Sequence, residues 1–204
     1  GWKLQRKILS DKEKKAEIEA MKELIEIDIY INDSSSLNIM QIENIVKKDK
    51  GRKISNVGGY QTNDIDYEKH TQLLFLSEII KVNTRSYRDS VGLNQNFKID
   101  NMWININKYK DFNKSHLHPY SSISGVFYVK CPKDCGDIVL ENNASDFLSY
   151  DWNPNVKTYT SYTSSDWSIP CENNLLLLFP SYLRHYVQPN LAEEERISLS
   201  FNIK

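Results

Sequence analysis

The period of the apolar residues changes near residue 98, and this change limits the fold more than any other feature of the chain. Met102, Ile104 and Ile106 alternate with Trp103, Asn105 and Asn107, the two-residue repeat of a strand with two unlike faces. Short runs of strand character recur to the end of the chain. They cover roughly Ile123 to Val129, Ile138 to Leu140, Leu175 to Phe179, His185 to Val187 and Ile197 to Ile203. Many short strands with polar turns between them predict a sandwich or jelly roll. Before the change the repeat is helical. Ser10-Asp11-Lys12-Glu13 is a capping-box pattern, and Ile18, Met21, Leu24 and Ile25 follow it at the spacing of an amphipathic helix. Ser34-Ser35-Ser36 offers N-caps to a second helix with Leu37, Met40 and Ile45, which stops in the basic stretch from Lys47 to Arg52 with Gly51. Gly58-Gly59 then permits an irregular backbone between Ser55 and Thr62. The run from Tyr67 to Val82, with Leu73, Leu74, Leu76, Ile79 and Ile80, predicts a largely buried helix that includes His70. The expected fold is mostly β, in one domain over 1–204. Residues 1–97 would supply helical support on one outer face of a β core spanning 98–204.

A length of 204 residues suits a single core. The net charge of -1, from 26 Lys and Arg against 27 Asp and Glu, gives no global field that would attract nucleic acid or an anionic membrane. The basic cluster Lys47, Lys48, Lys50, Arg52 and Lys53 reads as a solvated loop. No apolar stretch approaches a membrane span, and Gly1-Trp2-Lys3-Leu4 lacks the pattern of a signal peptide, so a soluble, cytoplasmic protein is expected. Gly1 in place of Met points to trimming or to a cloning remnant, so the native start is not fixed by the sequence. Three cysteines, Cys131, Cys135 and Cys171, are too few and odd in number for a secreted disulfide framework, so reduced thiols are expected. Cys131 and Cys135 flank Pro132-Lys133-Asp134, and a zinc site there would need Cys171 and a histidine to converge on it.

Three of the four histidines fall in two segments of strand character. In His116-Leu117-His118-Pro119 the two rings lie two residues apart, and an extended backbone aims both at one point. His185 follows the apolar run from Leu175 to Phe179. Brought in from its own strand, it would complete one face of a coordination sphere and leave the other positions open. His70 reads as structural. Farther on, Arg196, Ser198 and Ser200 share one face of the last strand, and Leu199 and Phe201 share the other. An inward arginine in a β core needs an anion, and its planar fork suits a carboxylate. That anion is either a neighbouring glutamate of Glu193-Glu194-Glu195 or a bound dicarboxylate.

The order of H-x-H, a tyrosine on the next strand, a distal histidine and then an arginine resembles the 2-oxoglutarate and iron(II) dependent oxygenases, whose fold is the double-stranded β-helix, a jelly roll of cupin type. More narrowly, Ser55-Asn56-Val57-Gly58-Gly59-Tyr60-Gln61, Trp103-Ile104-Asn105, His116-Leu117-His118-Pro119, Ser124-Gly125-Val126-Phe127-Tyr128-Val129, Leu178-Phe179-Pro180-Ser181 and Arg196-Ile197-Ser198 are similar to a group of such oxygenases from bacteria and phages. The likeness spans about residues 50 to 204. It implies iron held by His116, His118 and His185, and 2-oxoglutarate held at its distal carboxylate by Arg196. Tyr128, Ser198, Ser200 and Asn105 would complete the cosubstrate site. Position 118 is histidine where the superfamily has aspartate or glutamate, which adds one unit of positive charge to the iron site. Besides His118 as the ligand, two alternatives stand: it swings away and a carboxylate such as Asp137 or Glu141 substitutes, or the chain binds metal without turning over. Lys114 and Tyr120 bracket the motif and are placed to tune it from outside. Asn173-Asn174 stands before the Leu175 strand where relatives have glycine, and asparagine tolerates the positive φ of such a turn.

The resemblance implies a dioxygenase, specifically a hydroxylase, that consumes molecular oxygen and decarboxylates 2-oxoglutarate to succinate. The alternative is a binding or structural jelly roll in which the histidines form a closed metal site or a polar cluster without turnover. The segment 146–168, with Trp152 and Trp167, is a candidate lid over a small-molecule or peptide substrate. No motif fixes the oligomeric state; a homodimer is one expectation.

Overall fold

A computed structural model describes residues 26–28, 39–145, 155–160 and 163–204. The helix expected over 10–25, the Ser34-Ser35-Ser36 caps and Trp152 lie outside them. Two α-helices, a one-turn 3-10 helix at Tyr67–Lys69 and two antiparallel sheets make up the described part. Helix α1 is Ile39–Val46 and helix α2 is Thr71–Ser90. The strands in chain order are β1 Glu26–Asp28, β2 Asn56–Val57, β3 Tyr60–Gln61, β4 Ile99–Asn107, β5 Phe112–His116, β6 Ile123–Lys130, β7 Ile138–Glu141, β8 Asp166–Ile169, β9 Leu175–Pro180, β10 His185–Val187 and β11 Arg196–Ile203. One sheet runs β1-β9-β6-β11-β4-β3, and the other runs β2-β5-β10-β7-β8.

The two-residue alternation sorts the long strands into two apolar layers. Met102 and Ile104 of β4, Phe127 of β6, Leu176 and Leu178 of β9, and Ile197, Leu199 and Phe201 of β11 pack with Ile42 of α1 and Leu73, Leu76 and Ile80 of α2. The opposite face of the same strands supplies Val126, Tyr128, Leu175, Leu177 and Phe179. These meet Ile138 and Leu140 of β7 and Ile169 of β8, closing the sandwich. Each large apolar side chain so buried contributes about 1.5–3 kcal/mol relative to exposure.

Helix α2 is longer and more one-sided than the sequence suggests. Its buried stripe is Leu73, Leu76, Ser77, Ile80, Thr84 and Tyr87, at spacings of three and four. Leu74, Phe75 and Val82 are exposed, so the helix is amphipathic and not largely buried. Gly92, in the left-handed region at φ 74°, ends it. His70 stands at the N-cap position, before the helix and not within it, and its side chain makes no cap bond.

The stretch expected to be an irregular loop instead feeds both sheets. Asn56-Val57 pairs with β5 in one sheet, and Tyr60-Gln61 pairs with β4 in the other. Gly58 and Gly59 carry the chain across between them. Gly58 has φ 73°, and a Cβ there would lie 1.8 Å from Asp111 Oδ1, so only glycine fits. The candidate lid falls partly outside the described residues, and its last part is not a loop. Asp166–Ile169 is an edge strand paired with β7.

Candidate active site

Strand register assembles a polar lining between the two sheets. On β11, Arg196 stands opposite Asn107 of β4, Ser198 opposite Asn105, and Ser200 opposite Trp103. On its other side, Ser198 stands opposite Tyr128 of β6 and Ser200 opposite Val126. The register shifts between Ile197 and Ser198, with Val129 the extra residue on β6, a bulge beside the arginine. All these inward residues line one cavity, shared with His116, His118 and His185. Among them, Asn105 Nδ2 donates to Ser200 Oγ at 3.0 Å.

The histidines come from the facing sheet. His116 ends β5 and pairs directly with His185 of β10, so strand pairing alone sets their rings 4.3 Å apart between centroids. His118 lies just past the strand, two residues on, and its backbone N–H donates to the Ser181 carbonyl at 3.1 Å. The ligand nitrogens of all three lie within 4.8 Å of one another. His118 Nε2 and His185 Nε2 are 3.3 Å apart. Two ligands at right angles on metal–imidazole bonds of about 2.1 Å would stand roughly 3 Å apart, so the donor set fits a metal ion.

Ring orientation is fixed from behind. His116 Nδ1 donates to the Lys114 carbonyl at 2.7 Å, and His185 Nδ1 donates to the Leu183 carbonyl at 3.0 Å. A carbonyl only accepts, so in both rings Nδ1 carries the hydrogen and Nε2 keeps its lone pair for a ligand. Trp103 stacks on His118 at 5.7 Å, and Phe179 meets His185 edge-on at 4.7 Å. Loss of water pushes all three imidazoles below their ordinary range. His116 is lowered mainly by burial, against the Lys114 bond; burial and the neighbouring His116 take His118 down to about 4; burial first takes His185 down to about 3. Neutral imidazoles with free lone pairs are what a borderline cation such as iron(II) requires.

Arg196 is 1% exposed. Among the described residues it meets no carboxylate, and the ion pair with a neighbouring glutamate is not formed; Glu194 pairs instead with Lys130 at 2.8 Å. Its Nη1 donates to the carbonyls of Cys135 at 2.5 Å and Gly136 at 3.0 Å, while its buried Nη2 has no partner among the described residues. A buried guanidinium with an unused donor is costly in isolation and suits an anionic guest. Tyr128 is fully buried and burial holds its phenol well above the ordinary range, so it remains a neutral donor.

The structure thus brings every sequence-predicted residue, His116, His118, His185, Arg196, Tyr128, Ser198, Ser200 and Asn105, to one cavity. The carboxylate substitutes stay out of it. Glu141 accepts a hydrogen bond from Ser115 Oγ, Asp137 accepts one from Ser168 Oγ at 2.7 Å, and neither lines the cavity. Lys114 acts on the site through its carbonyl, whereas Tyr120 projects into solvent, 90% exposed. His70 lines a separate cleft with Ile42 and Leu73 and joins no metal-binding group among the described residues. Sequence reasoning missed Asn107, Asn113 and Phe179 as lining residues. Asn107 was legible, since it continues the Trp103, Asn105 face of β4.

A family model described as "Putative 2OG-Fe(II) oxygenase" matches residues 101–202, which contain the whole triad and Arg196. The chain belongs to this family of 2-oxoglutarate and iron(II) dependent oxygenases, and iron(II) and 2-oxoglutarate are its cofactors. Several solved structures share the fold. A Burkholderia pseudomallei oxidoreductase of the 2OG-Fe(II) oxygenase family is 15% identical, with a TM-score of 0.57 over 81% of this chain and 78% of that one. A Pseudomonas putida prolyl-4-hydroxylase is 14% identical, with a TM-score of 0.57 over 80% of each chain. HygX from Streptomyces hygroscopicus, solved with nickel and 2-oxoglutarate, is 10% identical, with a TM-score of 0.59 over 96% of this chain and 87% of that one. At such identities the likeness establishes the jelly-roll fold. No curated protein matches the chain in sequence.

Proposed function

We propose that the cavity between the sheets is the active site of a hydroxylase in which His116, His118 and His185 hold iron(II) and Arg196 holds the distal carboxylate of 2-oxoglutarate. The observation that carries this reading is the pairing, in one cavity, of three inward imidazoles with a buried arginine that has an unused donor. Iron(II) and 2-oxoglutarate, once bound, supply oxygen activation coupled to decarboxylation of the keto acid to succinate and carbon dioxide. The chain's own residues bind and orient. His116 and His185 are held by their Nδ1–H bonds, so each presents Nε2 without rotating. Arg196 offers Nη2 to a carboxylate, with Ser198 and the neutral Tyr128 beside it, and Asn105 and Ser200 sit one row farther along the sheet. Trp103, Val126 and Phe179 supply apolar surface that excludes water from the metal face.

Among the described residues no helix is long and apolar enough to cross a membrane. Three free cysteines suit a reducing compartment, and we place the protein in the cytoplasm. The substrate belongs to the small molecules or peptides. The fold neighbours span both kinds, a prolyl-4-hydroxylase and a structure of HygX with hygromycin B bound. Succinate release measured against a panel of both kinds would select between them.

Anaerobic addition of iron(II) and then 2-oxoglutarate should produce a visible metal-to-ligand charge-transfer band. Tight metal retention with no band on adding the keto acid would instead mark a closed structural site.

A further inference from the structure

We propose that Cys131, Cys135 and Cys171 form a second metal site, a thiolate site for a soft cation of the zinc(II) type, at the end of the sandwich behind Arg196. It does not depend on the roles assigned to the histidines. The three sulfurs lie within 4.8 Å of one another, and no histidine or carboxylate belongs to the group. Two come from one turn and the third from a distant connection. Cys131 directly follows β6, Cys135 precedes β7, and Cys171 lies between β8 and β9. The cluster therefore joins the ends of strands from both sheets. Three thiols meeting by chance as small apolar side chains would be buried alike, but only Cys135 is buried; Cys131 and Cys171 are partly exposed, which leaves an entry path.

The turn that brings the first two together is built tightly. Cys135 N–H donates to the Pro132 carbonyl at 3.2 Å, and Asp134 and Gly136 adopt φ 63° and 82°. A Cβ on Gly136 would lie 2.6 Å from the carbonyl oxygens of Gln188 and Pro189, so the turn is seated against the β10–β11 connection. Asn173 Oδ1 accepts the Cys131 N–H at 2.7 Å and fixes the other end. Cys135 Sγ and Cys171 Sγ are 3.0 Å apart, longer than a disulfide of about 2.05 Å. Tetrahedral ligation with zinc–sulfur bonds of about 2.3 Å sets sulfurs roughly 3.8 Å apart, a displacement of under about 1 Å. Asp134 and Glu172, adjacent in sequence to Cys135 and Cys171, are exposed and stand outside the group, and Asp137 accepts a hydrogen bond from Ser168 Oγ at 2.7 Å, so the fourth position falls to solvent. Arg196 Nη1 rests on the carbonyls of Cys135 and Gly136, within this same turn. A cation here would hold in place the two carbonyls that orient the arginine.

Cobalt(II) titrated anaerobically into the reduced full-length chain is the probe. Sulfur-to-cobalt charge transfer in the near ultraviolet, with the intense visible bands of a tetrahedral ion, is expected from the parent. The same bands should persist in His116→Ala and disappear in Cys171→Ser. Zinc(II) should bleach them and shield the thiols from a thiol-reactive dye. The parent spectrum decides the matter even if Cys171→Ser fails to fold. Cobalt uptake without sulfur charge transfer, thiols that react equally with and without zinc, or a disulfide in the reduced and anaerobically purified protein would each overturn the site.

Discussion

A buried arginine tolerates isolation poorly, and among the described residues Arg196 meets backbone carbonyls and no carboxylate. Arg196→Ala should abolish 2-oxoglutarate binding at concentrations that saturate the parent, because each charge-assisted hydrogen bond contributes about 1.5–3 kcal/mol. Iron content should change little, which parallel calorimetry and metal analysis would show. Unchanged affinity for the keto acid would refute the assignment. His118 takes the place of a carboxylate. His118→Ala should weaken iron binding, whereas His118→Asp should hold metal affinity within about tenfold, or roughly 1.4 kcal/mol, if the backbone is placed as in the H-x-D relatives. Uncoupled succinate formation and metal content on both variants test this. Acid should act on the metal-free protein through His185. Its folded pKa of about 3 lies below an unfolded value of about 6.5, so the unfolded state holds the extra proton between them. Its contribution is complete above pH of about 6.5 and is lost as the pH falls toward 3, by up to about 1.4 kcal/mol per unit. Urea midpoints at several pH values should show this slope, reduced in His185→Gln.

The strands differ in how plainly their residues announce them. β4, β6, β9 and β11 were readable because they lie in a sheet packed on both faces, where large apolar residues recur along each strand. β5 was not, since Asn113-Lys114-Ser115 carries no apolar alternation and the strand exists through pairing with β2 and β10. β8 and the two-residue strands beside Gly58-Gly59 likewise depend on partners distant in sequence. His116 was therefore recognised by chemical type and spacing, and its exact pairing with His185 was beyond reach. The thiol cluster was half legible: Cys131 and Cys135 announce a turn, but the arrival of Cys171 is a matter of topology. Gly125, readable only as part of a motif, has a packing reason. A Cβ there would lie 2.4 Å from Phe201 Cζ and 2.8 Å from the Leu177 carbonyl oxygen, wedging β6 away from its neighbours. Gly125→Ala should destabilise the fold by about 1–3 kcal/mol in denaturant unfolding, with metal binding lost only in proportion to folding.

At the scale of the whole molecule, the site is distributed along the chain. The His118 and His185 rings meet across 67 residues of sequence, and Asn105 bonds Ser200 across 95. Arg196 opens the last strand, which lies in the middle of its sheet and joins β6 to β4. Nothing local can assemble such a cavity, because closing loops of this length costs entropy before any contact rewards it. The order of events in folding follows. The cavity that joins the triad to the arginine does not exist until β11 has inserted between β6 and β4, strands synthesised long before it. Iron held in that complete cavity should therefore stabilise the finished protein more than it guides folding. Refolding rates followed by tryptophan fluorescence should be the same with and without iron(II), while unfolding slows in its presence. The metal acts as a lock on the finished sandwich, and a chain stopped short of Arg196 has no complete cavity to lock.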